Sequence, residues 1–91
     1  MEGSILARRD STRITFDLLR IARKKGGVSK TYAVRRTNLN FHAFEYYLKR
    51  LQSGEFLHSE TATGHPTRYS VTGEGERLYQ LLSQVYKLID R

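Results

Sequence analysis

Residues 26–54 read GGVSKTYAVRRTNLNFHAFEYYLKRLQSG, and this stretch decides the fold. Gly26-Gly27 breaks whatever precedes it, because paired glycines favour a turn over a helix. Ser29 is a capping residue, and a helix is expected over Lys30–Thr37, with Tyr32, Ala33 and Val34 as its buried contacts. Asn38-Leu39-Asn40 leaves room only for a tight connection. Asn40 then caps a third helix, Phe41–Ser53, closed by Gly54. On that helix Phe41, Phe44, Tyr47, Leu48 and Leu51 share one face, while His42, Tyr46, Lys49 and Arg50 point the other way with Ala43 beside them. Two helices joined by so short a turn form a helix-turn-helix.

Upstream, a helix is expected from Asp10 or Ser11 to Lys25. Asp10, Ser11 and Thr12 are capping types. Ile14, Leu18, Ile21 and Ala22 recur at helical spacing, widened by Phe16 and Leu19. Arg20, Arg23, Lys24 and Lys25 crowd its end, where cations suit the helix dipole. Residues 1–9, with Arg8 and Arg9, read as a flexible basic arm. Val28 fits a very short strand. Downstream, Glu55–Glu60 and Thr67–Val71 read as strands, with Tyr69 and Val71 on one side of the second. The turn formers between Thr61 and Pro66 join them as a hairpin. Thr72 starts a last helix, roughly Gly73–Asp90, with Glu74 and Glu76 in its first turn. The expected fold is α+β and mostly helical: three helices, a two-stranded wing and a C-terminal helix, the layout of a winged helix-turn-helix. Residues 10–72 form the DNA-binding domain of that reading, and 73–91 a dimerisation helix packed on it.

Composition narrows the function. The chain has 91 residues, enough for one small domain. It has no cysteine, which excludes disulfides and thiolate metal sites. No apolar run reaches the length of a membrane span, and charges interrupt the N-terminal segment where an export signal needs an apolar run. A cytoplasmic, nucleoid-associated location follows as the expectation. The net charge is +7, unevenly spread. Residues 1–54 carry 12 Lys or Arg against 4 Asp or Glu, and residues 55–91 carry 4 against 5. A basic half of this kind suits a polyanion, although a solvated surface has the same composition.

The individual sites have competing readings. His42, Tyr46, Lys49 and Arg50 suit the major groove, with Asn40 and Ala43 in the same N-terminal part of the helix. Glu45 on that helix opposes phosphate. Ser29, Lys30 and Thr31 suit a phosphate at a helix N-terminus, or simple capping. Arg35 and Arg36 lie toward the expected DNA backbone. His65, Thr67 and Arg68 suit a wing on the minor groove, or a solvated hairpin. His42, His58 and His65 are spaced by 16 and 7 residues, which matches no metal-ligand pair. No phosphate loop, nucleophile elbow or carboxylate pair appears, so neither catalysis nor a cofactor is expected. The six tyrosines also fit stacking on single strands, but their spacing suits core and interface better. Leu78, Leu81, Leu82, Val85, Leu88 and Ile89, flanked by Tyr86, exceed what one small core needs and point to a homodimer, with Phe16 and Leu19 contributing.

Taken together, Gly26-Gly27, Ser29-Lys30-Thr31, Asn38-Leu39-Asn40, Tyr47-Leu48, Leu51, Gly54 and Tyr69-Ser70-Val71-Thr72-Gly73-Glu74-Gly75 resemble a family of small archaeal winged-helix DNA-binding proteins. The resemblance spans about residues 12–89. It implies double-stranded DNA as partner and dimerisation through the last helix; some members lengthen that helix into an antiparallel coiled coil. A sequence-specific transcriptional regulator is the leading reading. An architectural, chromatin-like protein and a protein-interaction module are the alternatives. The sequence names no small-molecule effector.

Overall fold

A computed structural model describes residues 10–90; the arm with Arg8 and Arg9 lies outside them. The elements are α1 (Ser11–Ala22), β1 (Val28–Ser29), α2 (Lys30–Thr37), α3 (Phe41–Ser53), β2 (Leu57–Glu60), β3 (Arg68–Val71) and α4 (Gly73–Ile89). This is the expected winged helix. The wing, however, belongs to a three-stranded antiparallel sheet in the order β1-β3-β2. Val28 pairs with Tyr69, and Leu57 with Val71. Leu18, Leu19 and Ala22 of α1, Val28, Ala33, Phe44, Leu48, Leu51, Leu57 and Tyr69 form one core where helices and sheet meet.

Each helix start is capped by its own side chain. Asp10 accepts from the Arg13 N–H at 2.8 Å, Ser29 from Tyr32 at 3.1 Å, Asn40 from Ala43 at 2.8 Å and Thr72 from Gly75 at 2.9 Å. Such caps satisfy donors the helix cannot, each contributing about 1 kcal/mol.

One helix end differs from expectation. α1 stops at Ala22, not Lys25. Arg23 and Lys24 donate to the Arg20 and Ile21 carbonyls, three residues back, because the chain must tighten before Gly26 and Gly27 at φ +83° and +77°. Gly27 also lies so close to β3 that a Cβ there would sit 2.8 Å from the Tyr69 carbonyl oxygen. α3 ends at Ser53 with Gly54 as its cap, as expected, and the left-handed residue is the next one, Glu55 (φ 64°). The Glu55 and Phe56 N–H groups return to the Gln52 and Leu51 carbonyls, a Schellman closure that delays β2 to Leu57.

α4 is fastened to α1 chiefly by rings and charges. The Phe16 ring stacks on Tyr79 at 5.2 Å and tilts against Tyr86 at 5.1 Å. The Arg13 guanidinium sits 4.7 Å from the Tyr86 centroid, and that of Arg23 sits 4.1 Å from Tyr79. Phe16 and Leu19 are therefore covered by their own chain and offer nothing to a second copy, contrary to expectation.

Arg23 also grips Glu76 with two hydrogen bonds of 2.8 and 3.0 Å, and Gln80 donates to the same carboxylate at 2.8 Å. The Arg23 hydrogen bonds, then Gln80, hold the Glu76 carboxyl below its ordinary value. A carboxyl whose pKa falls on folding adds stability above its unfolded pKa, about 4.3, and loses that contribution as pH falls through the lower, folded value. Glu76→Gln should therefore lower the melting temperature at pH 7, and the difference should shrink as both proteins are melted at successively lower pH. A difference that is constant with pH would mean that the ion pair does not hold α4.

Candidate nucleic-acid interface

The helical period fixes what α3 presents. Phe44, Leu48 and Leu51 are buried, so His42, Tyr46, Lys49 and Arg50 face outward, and all four are exposed. Ala43 is half-buried beside them. Asn40 is exposed, its amide oxygen engaged in capping. Tyr46 meets Tyr47 edge-on at 5.1 Å, and the Arg50 guanidinium lies 5.6 Å from the Tyr46 ring. This braces the Tyr46 ring on the surface.

Glu45, the one carboxylate on α3, is drawn away from that face. Lys30 donates to it at 2.6 Å, bridging the start of α2 to α3. The hydrogen bond to Glu45 raises the Lys30 pKa, so the ammonium stays charged. The α3 surface is thus left with Lys49 and Arg50 and no exposed acid of its own.

The α2 residues divide between two sides. Thr31 and Arg35 are exposed and, with Lys30, Val34 and Phe41, line a shallow cleft of about 320 Å³ between α2 and the start of α3. Arg36 lies on the opposite flank of α2, where its guanidinium is 5.9 Å from the Tyr32 ring and shares a second cleft with Arg20 and Lys24. Ser29 is half-buried at its cap. At the wing, His65 is exposed near the hairpin tip, and the Thr67 hydroxyl is hydrogen-bonded to Thr61 at 2.7 Å, which closes the loop. Arg68 is at the base of the wing, not its tip. Its guanidinium donates to the Gly27 carbonyl at 2.9 Å and to Gly26 at 3.4 Å, so it ties β3 to the glycine turn.

Helical periodicity misplaces one residue. Phe41 reads as inward-facing, yet it is 57% exposed. As the first residue of α3 it projects past the end of the core toward α2, and the Lys30 ammonium is 5.7 Å from its ring. Its position at the cap is the available signal, since the first turn of a helix can overhang the layer beneath it.

Among the described residues, no group of three or more His, Cys, Asp or Glu side chains could hold a metal, and no helix is long and apolar enough to cross a membrane.

Residues 8–90 match the family model described as winged helix-turn-helix. No curated protein matches the sequence significantly. Among solved structures, the chain is similar to Sso10a-2, a DNA-binding protein from Sulfolobus solfataricus, with a TM-score of 0.78 and 22% identity over 90% of this chain and 83% of that one. It is also similar to a predicted DNA-binding transcriptional regulator from E. coli, with a TM-score of 0.62 and 17% identity over 96% of this chain and 86% of that one. At these identities the likeness is one of fold.

Proposed function

The chain belongs to the winged helix-turn-helix family, and from that premise we propose that it binds double-stranded DNA as a homodimeric transcriptional regulator. α3 enters the major groove, and no catalytic step is assigned to the protein. The observation that carries this reading is the exposed α3 face of His42, Tyr46, Lys49 and Arg50, whose only carboxylate is turned aside onto Lys30. The descriptions of the Sulfolobus and E. coli proteins as DNA-binding point the same way. The site of action is the cytoplasmic nucleoid. Salt titration of duplex binding tests the reading: counterion release makes affinity fall steeply with salt, with a slope near −0.9 per phosphate neutralised. Absence of duplex binding at moderate salt would favour a protein-interaction module instead.

Ser29, Lys30, Thr31 and Arg35 serve as the backbone anchor in this reading. Lys30→Ala should weaken all duplexes alike and reduce the salt slope by about one unit. It also strips Glu45 of its cation, so adding Glu45→Gln should recover part of the loss. A change in sequence preference in Lys30→Ala would contradict the anchor role.

The homodimer rests on α4. Gly75 is its one buried residue, and Leu81, Val85, Leu88 and Ile89 are exposed, the last two at 67%. Leu78, Leu81, Val85 and Leu88 follow the 3-4-3 spacing of a coiled-coil seam. Leu78 packs on the domain's own core, and the rest of the stripe, left uncovered, suits a second copy. The wild type should sediment as a dimer at tens of micromolar, an ordinary association range. Leu81→Glu with Val85→Glu should sediment as a monomer of unchanged helicity. A wild-type monomer at that concentration would contradict the pairing.

A further inference from the structure

The ring of Phe41 has no role in the core and none in the contacts proposed above. It is a large apolar group held 57% exposed at the first position of α3, with Asn40 capping the same turn. It forms one wall of the cleft that also holds Lys30, Thr31, Val34 and Arg35. Arg35, and Lys30 with its charge shared with Glu45, therefore flank an apolar surface of Phe41 and Val34. A ligand that matches it needs anionic groups at its edge and a small apolar group within. Major-groove DNA has this combination only at thymine, whose C5 methyl projects between the phosphate-lined edges of the groove. We propose that Phe41 is a specificity-determining residue that receives a thymine methyl, so that the protein's site contains a thymine opposite the first turn of α3. The inference rests on the DNA-binding reading and assigns part of its specificity to a named contact.

Phe41 neighbours His42 in sequence and stands one residue after the Asn40 cap. The N-terminal residues of a helix inserted in the groove are those that reach base edges. The Lys30–Glu45 ion pair, at 2.6 Å, joins α2 to α3 beside the cleft. The Phe41 ring stands at the mouth of that cleft, with the Lys30 ammonium 5.7 Å from its centroid.

Deoxyuridine lacks only the methyl of thymine, which gives a clean test. A duplex taken from a random-pool selection is made in two forms, with thymine and with deoxyuridine replacing each thymine in turn. Wild type should lose about three- to fivefold in affinity at one position, the loss expected for one buried methyl group. Phe41→Ala, checked for unchanged circular dichroism, should bind the thymine and deoxyuridine duplexes equally at that position. Phe41→Leu should retain part of the preference. An equal deoxyuridine loss in wild type and Phe41→Ala would overturn the assignment while leaving DNA binding intact, and so would a wild type indifferent to every replacement. No binding to either duplex at low salt would overturn both the assignment and the reading beneath it.

Discussion

Gly75→Ala is expected to destabilise the protein by about 2–4 kcal/mol, the cost of forcing an atom into a space already filled. A Cβ at residue 75 would overlap the Phe56 carbonyl oxygen and lie 2.8 Å from a Val71 methyl. That carbonyl is not free to retreat, because it accepts the Thr72 N–H at 3.1 Å. Thr72 is equally committed: its hydroxyl donates to the Glu55 carbonyl at 2.7 Å and accepts from Gly75 N–H at 2.9 Å. The segment between β3 and α4 is thus pinned to the end of α3, and Gly75 is the point of closest approach. Alanine gains at most about 1 kcal/mol of helix propensity over glycine, too little to offset the overlap. For a domain of this size the melting temperature should fall by on the order of 8–32 °C, at about 4–8 °C per kcal/mol. Gly73→Ala is the control. Nothing lies within 4 Å of its added Cβ, so it should be neutral or slightly stabilising. Equal melting temperatures for the two variants would contradict the packing described.

The second large effect concerns readout. His42→Ala or Tyr46→Ala should each relax discrimination between binding sites, by about 1–3 kcal/mol for each base-edge interaction removed. Both side chains are exposed, and neither is part of the core, so the folded state should survive. Lys49→Ala should instead lower affinity for every duplex without changing their ranking, because a lysine farther along the helix reaches phosphate. Fluorescence anisotropy on a selected site and its single-base variants separates the two outcomes. If both His42→Ala and Tyr46→Ala kept the wild-type ranking, readout would lie elsewhere, with Phe41 and the wing near His65 as the next candidates.

The fold was legible because its signals are local. Capping residues stand at Asp10, Ser29, Asn40 and Thr72, and each caps the helix it announces. Apolar spacing on α3 placed Phe44, Leu48 and Leu51 correctly. What escaped the sequence depends on groups brought together from afar. The pairing of Val28 with Tyr69 joins residues 41 apart, which no local pattern announces. Arg68 read as a wing cation because a surface arginine and one that satisfies two backbone carbonyls look alike in sequence. Lys30 and Glu45 read as an anchor and an obstacle, and their mutual hydrogen bond gives each a different meaning. The Thr72-Gly73-Glu74-Gly75 phrase carried a resemblance, and only the carbonyl of Phe56 shows why its last glycine is needed.

The central claim, that an exposed α3 on each of two paired copies reads duplex DNA, is tested most directly by selection from a random duplex pool. The account predicts enrichment of a two-fold symmetric motif with half-sites about one helical turn, or a multiple of it, apart. The same selection with His42→Ala and Tyr46→Ala combined should lose that motif while retaining salt-sensitive binding. A wild-type pool that binds but never converges on a motif would contradict sequence readout by α3, leaving an architectural role.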